Sequence, residues 1–418
     1  MRWWSIGASG RHVVLATLVT LTSVAALAAA PQVGKKRPGR YKLGPVYLTP
    51  RLELKNAGVD TNVFNAQTGA IPDTSIVLSP SIAAAVPIGQ RLRITGTTFL
   101  DFNYFRRKSS ERSTDFAGEG RAEVDVGPFT LFGAGGGGQF KQRFSIDLDT
   151  RLLRQEKWAT TGFDLRVTRK LSATVSGTGR SYAFDPSPVG ASAVHRALDR
   201  NVLTGTTQIR YAITGRTAAV ASADAIEDRF LDEPAVALRK ARSSRYLGGF
   251  EFGTRAIING KVMAGVREFP RGQSTPRYRG PALAVSASIP LLRFGRLAAI
   301  ADRDVLYSVS SAGVGDALLR NSYVSTRLRG EAMVELPFGL IGRGVFGLQE
   351  AKYLLPQQLG STPFQRVDHV WTGSASVLRQ LGDTVRIGAT LAWSRRVSTA
   401  PGGSYEGLRY GLQAEVVP

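Results

Sequence analysis

The chain has 418 residues and a formal net charge of +22, from 54 Lys and Arg against 32 Asp and Glu, with Arg outnumbering Lys 43 to 11. It has no cysteine, which excludes a disulfide framework, a thiolate metal site and a lipid anchor on cysteine. The length suits one β-barrel as well as several soluble domains, and a basic balance of this size favours anionic partners, whether nucleic acid, lipid head groups or acidic sugars.

The first 28 residues read as a secretory signal peptide. Arg2 and Arg11 supply positive charge, Val13 to Leu27 form an apolar stretch, and Ala26-Leu27-Ala28 gives a small-x-small cleavage site. Residues 29–45 form a basic lead-in with Lys35, Lys36, Arg37, Arg40 and Lys42, expected to be unstructured and periplasmic. No later segment has 18 consecutive apolar residues, so the remainder cannot cross a membrane as helices. A closed β-barrel needs no such run.

Residues 46–418 repeat one unit, about ten residues of alternating apolar and polar side chains followed by a break. The last copy is the clearest. Leu408, Tyr410, Leu412, Ala414 and Val416 interleave with Arg409, Gly411, Gln413 and Glu415. Short breaks fall near Gly89-Gln90, Gly127-Pro128, Arg169-Lys170, Thr214-Gly215, Asn259-Gly260, Phe294-Gly295, Pro337-Phe338-Gly339 and Gly382-Asp383, mostly with turn-forming residues. Longer polar breaks alternate with them. They run near Asn62–Asp73, Lys108–Thr114, Asp147–Arg154, Asp185–Asp199, Leu231–Arg242, Arg271–Arg277, Ser311–Asn321, Gln357–Gln365 and Thr399–Tyr405. Nine long and eight short breaks separate eighteen strands. The expectation is an all-β fold, a transmembrane antiparallel β-barrel in the outer membrane with short periplasmic turns and long outer loops. A soluble propeller would need four strands and a shared signature per repeat, and the sequence has neither.

Charge divides the faces. Arg93, Arg121, Lys141, Arg143, Arg166, Arg180, Arg210, Lys261, Arg267, Arg327, Arg329 and Arg386 are assigned to the lumen as anion-binding groups, accompanied by Asp101, Glu119, Glu123, Asp125, Asp164, Glu331 and Glu335. These charges form either a wall of mutually neutralising pairs or an arginine-lined path that selects anions. The register around Ala301 to Asp304 stays open. Phe102, Tyr104, Tyr211, Trp371 and Trp393 lie toward strand ends on the apolar face, as an aromatic girdle requires. A glycine-rich stretch, Gly133 and Gly135 to Gly138, marks a bend or room for a loop or plug.

Signals for catalysis are thin. Beyond the signal only His195 and His369 remain, one in an expected outer loop and one at a strand start beside Trp371, and their separation gives no metal-site spacing. The reading is of a protein that is not an enzyme, needs no cofactor and binds no nucleic acid, because the alternation turns the aromatics toward lipid.

The opening strand Val46 to Leu54, with Pro50-Arg51-Leu52, and the following Gly58 to Phe64, with Asp60-Thr61-Asn62-Val63-Phe64, resemble the start of the beta-barrel porin families encoded among exopolysaccharide and capsule genes. The last strand resembles the signal read by the barrel-assembly machinery, although it ends Val417-Pro418 without a terminal aromatic. The resemblance implies a channel for export of an anionic exopolysaccharide, similar to the alginate-exporter type, with periplasmic export components as partners. A general porin for small anions and a structural or surface barrel remain the alternatives.

Overall fold

The computed structural model describes residues 39–143, 151–185, 199–231, 241–253, 256–270, 277–291, 294–307, 322–359 and 362–417. The expected signal peptide, and His195, lie outside them.

Strand β1 is the short Tyr41–Leu43; β2 (Val46–Asp60), β3 (Asp73–Ile88), β4 (Leu92–Phe105), β5 (Ser113–Val126), β6 (Phe129–Gln142), β7 (Leu152–Arg166), β8 (Leu171–Phe184) and β9 (Arg200–Ala212) follow. Next come β10 (Thr217–Phe230), β11 (Ala241–Phe252), β12 (Asn259–Phe269), β13 (Tyr278–Leu291), β14 (Gly295–Tyr307), β15 (Ser322–Leu336) and β16 (Leu340–Tyr353). A small hairpin of β17 (Gln357–Leu359) and β18 (Thr362–Phe364) precedes β19 (Val367–Leu381), β20 (Val385–Ser398) and β21 (Tyr405–Val416). Each long strand pairs antiparallel with the next, and β21 returns to pair with β2, closing a barrel of eighteen strands. Closure leaves the wall without a free sheet edge, the condition a β-sheet must meet to cross hydrocarbon.

The first departure from expectation is at the start. Residues 41–43, placed in the unstructured lead-in, pair with Val46–Leu48 through a tight turn at Gly44, whose φ is 58°. The turns at Gly89, Gly127 and Gly382 likewise use positive φ, 61° to 63°. Gly260 behaves otherwise. Expected in a turn, it lies in β12, where any Cβ would run into the Ser286 carbonyl.

Pairing register fixes the faces, because directly opposed residues share a side. Ile76, Leu78, Phe102, Tyr104, Phe116, Tyr211, Phe346, Leu391 and Leu412 stand exposed on the outer surface. Trp371 and Trp393 share that outward face near the long-loop end. A continuous wall of exposed large apolar side chains has lipid as its solvent. In β2 the register shifts at Leu54–Asn56, and the bulge turns both Lys55 and Asn56 inward. The segment left open in the sequence is resolved by its partners: Asp302 and Asp304 face inward, whereas Arg303 faces out and donates to Thr326 Oγ1 at 2.8 Å.

Candidate functional site

The bore has two unlike halves. Toward the long loops, Leu152, Tyr182 and Phe184 from β7 and β8 join Leu306, Tyr323, Ala351, Tyr353 and Val370 from β14 to β19 in one buried apolar cluster. These strands lie on opposite sides of an eighteen-strand ring, and all eight side chains point inward by register. The two walls therefore meet across the bore at this level. Rings stack at the closure, Tyr323 against Tyr353 at 5.3 Å, and Arg366 lies over Tyr353 at 4.6 Å while paired to Asp368 at 2.7 Å. Above it, Val63 of the first long loop is fully buried, and its carbonyl accepts from Arg143 Nη2 at 2.7 Å. Beside it Arg151 pairs with Glu111 at 3.2 Å. Burial first, and then the neighbouring Arg143, lower its pKa to about 10, against the opposing pull of Glu111.

Toward the short turns, ionic clusters gather on parts of the wall. Glu415, 2 % exposed, takes an ion pair from each of three guanidiniums: Arg51 of β2, Arg343 of β16 at 3.5 Å and Arg386 of β20 at 3.4 Å. Glu123 similarly takes both Arg93 at 2.9 Å and Arg121 at 2.7 Å. The barrel seam, where β21 meets β2, brings Arg51 and Glu415 together from 364 positions apart. Glu53 stands directly opposite Glu415 across the seam, so two carboxylates face three guanidiniums and this stretch of wall keeps an excess of one positive charge, with the Arg343 and Arg386 side chains partly open to the bore.

Of the residues assigned to the lumen, Arg93, Arg121, Arg166, Arg180, Arg210, Lys261, Arg267, Arg327, Arg329 and Arg386 do face inward. Most are in ion pairs. Arg180 meets Glu156 at 2.6 Å, Arg210 meets Glu251 at 2.9 Å, Arg267 meets Asp304 at 3.2 Å, Arg327 meets Asp302 at 2.8 Å and Arg329 meets Glu331 at 2.9 Å. Lys261 donates to the Gln208 amide oxygen. Two assignments are corrected. Lys141 lies on the outward face, because β6 pairs Gly136 with the inward Glu119, so its even-numbered residues fill the bore; the Lys141 ammonium reaches the Ser110 carbonyl at the long-loop rim. Arg143 lies past the last residue of β6, where the alternation no longer applies, and turns to the mouth.

Counted along the eighteen barrel strands by register, nineteen basic and nineteen acidic side chains face the bore. The wall is thus neutral as a whole, and its cationic character is confined to the places where arginines outnumber their carboxylate. The sequence reading missed several of these groups, including Arg51, Arg343, Glu415 and the Lys55–Asp101 pair at 2.7 Å. It also turned the aromatics to lipid, whereas Phe99, Phe132, Phe140, Trp158 and Tyr182 face inward. Guanidiniums cover several of these rings, with Arg121 over Phe132 at 4.5 Å and Arg200 over Tyr182 at 4.7 Å. The room expected at the glycines of β6 is taken by such a ring: a Cβ on Gly138 would strike the Phe140 ring. His369 faces outward, stacked on Trp371 at 5.8 Å.

No protein-family model and no curated protein sequence matches the chain. Among solved structures it is similar to OccAB4 from Acinetobacter baumannii, with 8% identity over 89% of this chain and 98% of that one and a TM-score of 0.46. It is similar also to a bacterial polysaccharide outer membrane secretin (8% identity, 89% and 98% covered, TM-score 0.34) and to CdiB from Acinetobacter baumannii (10% identity, TM-score 0.42). The match to CdiB covers 90% of this chain and spans 60% of that protein's length. At such identities and scores the likeness lends no argument about function.

Proposed function

We propose that the protein is an outer-membrane channel for an anionic solute or polymer, in its fullest form an acidic exopolysaccharide on its way out of the cell. Folding would depend on the barrel-assembly machinery, and delivery of a polymer on periplasmic export components. The role is passage, not catalysis. The observation that carries the reading is the excess of three arginines over two carboxylates, Glu415 and Glu53, at the end of the bore that holds the short turns. Guanidinium forks match carboxylates in charge and geometry, and partly exposed Arg343 and Arg386 can exchange Glu415 for a passing carboxylate.

The test is reversal potential in planar bilayers under a salt gradient, for the native chain and for Arg343→Gln with Arg386→Gln. Arg51 is kept in the variant so that buried Glu415 retains a partner. The native channel is expected to prefer chloride and glucuronate over potassium, and the variant to lose most of that preference at similar conductance. Equal preference in the two proteins would refute the assignment. Blockage by long uronic-acid oligomers added from the short-turn side supports the polymer; free passage of small anions without blockage supports a general porin instead.

A further inference from the structure

Between β7 and β11 the lipid-facing surface is indented. A cavity of about 740 Å³ opens outward there, lined on the outward face by Ala159, Thr161, Gly177, Gly179, Gly205 and Ala225, with Leu203, Glu227 and Arg242 along its upper row. Nothing stands within 4 Å of a Cβ placed on Gly177 or Gly205, so the hollow is open to whatever surrounds the barrel. Register places a polar row directly above it: Lys157, Ser181, Asn201 and Arg229 oppose one another in sequence across β7, β8, β9 and β10. Glu227, in the row below, pairs with Arg229 at 2.6 Å and Arg242 at 3.2 Å. Lys157 forms no ion pair among the described residues, and it is exposed.

Lys157 lies nine residues up β7 from Arg166 at its short-turn end. At ~3.3 Å per residue and a tilt of roughly 40°, that is about 23 Å, the upper edge of an apolar band ~25 Å tall. At that edge the membrane cost of an ammonium falls away, so Lys157 stands at head-group level as a cation without an ion-pair partner among the described residues, whereas the outward Glu268 and Arg279 elsewhere on the same rim neutralise each other at 2.9 Å. Three strand spacings separate Lys157 from Arg229, about 14 Å. Two cations that far apart, over a hollow of small side chains, match a lipid with two phosphates and several acyl chains.

We propose that this face binds a bisphosphorylated, multiply acylated glycolipid of the outer leaflet, with phosphates on Lys157 and on the Arg229–Arg242 pair and an acyl chain in the hollow below. Charge complementarity selects this occupant over a second copy of the chain. Lys157, Arg229 and Arg242 against Glu227 leave the patch positive, and two such patches facing each other would repel.

The test uses the full chain extracted from membranes in detergent and titrated, by native mass spectrometry, with a six-chain bisphosphorylated glucosamine disaccharide. A one-to-one adduct is expected. Lys157→Gln with Arg229→Gln should weaken it about tenfold or more, Gly205→Leu should weaken it by filling the hollow while leaving the cations in place, and enzymatic removal of the lipid phosphates should cost as much as the cation changes. Heat-modified gel mobility verifies that each variant is folded. Undiminished binding by the variants or by the dephosphorylated lipid would overturn the proposal, as would a Gly205→Leu change that dissolves an oligomer while leaving lipid binding intact, the sign of a second copy as occupant.

Discussion

The two halves of the bore use the same wall for opposite purposes. Near the long loops, side chains from facing walls meet and are buried, so the bore is narrowed there by apolar contact. Near the short turns, charged side chains are paired along the wall, not across the bore, and the guanidiniums keep part of their exposure to water. For the proposed channel the consequence would be a division of labour, in which the outer half sets how much passes and the inner half sets which charge passes.

The strongest way to break that comparison is to remove the contact across the bore. Tyr323→Ala with Tyr353→Ala leaves the inner arginines untouched and should raise single-channel conductance several-fold with little change in reversal potential. A changed ion preference at constant conductance would show that the halves are not separable. A smaller effect is expected from Glu415→Gln, which frees three guanidiniums from their shared carboxylate; anion preference should rise, with conductance nearly constant. A fall in anion preference would show that Glu415 positions the arginines more than it neutralises them.

The smallest effect should come from Arg327→Glu with Arg329→Glu. By sequence these two arginines stand among the most prominent lumen charges, yet each is already matched, to Asp302 and to Glu331. Reversal sets like charges side by side. It should cost roughly 1 kcal/mol per site, as for partly exposed pairs, seen as a lower midpoint in heat-modified mobility, while anion preference changes less than in the Arg343→Gln, Arg386→Gln channel. A larger loss of preference than in that variant would move the selective region up to the middle of the bore.

What the sequence could show follows from the alternation of Cβ atoms along a strand, a local property. Strand number and the inward direction of Arg93, Arg210 or Arg386 derive from it. The reading failed where the alternation is interrupted, at the Lys55–Asn56 bulge and beyond the end of β6 at Arg143, and where a glycine-rich strand leaves little pattern to follow, as for Lys141.

By itself, then, the sequence determined a barrel of eighteen strands with a greasy outside and a charged inside. Only the tertiary structure decided that the inside is neutral overall, that a positive excess gathers around Glu415 and Glu53, and that apolar side chains from facing walls meet near the long loops. The reason is physical. A strand's pattern records which way each side chain points, but ion pairs and contacts across the bore depend on which strands become neighbours and how far apart the facing walls stand, and that is set when β21 closes on β2.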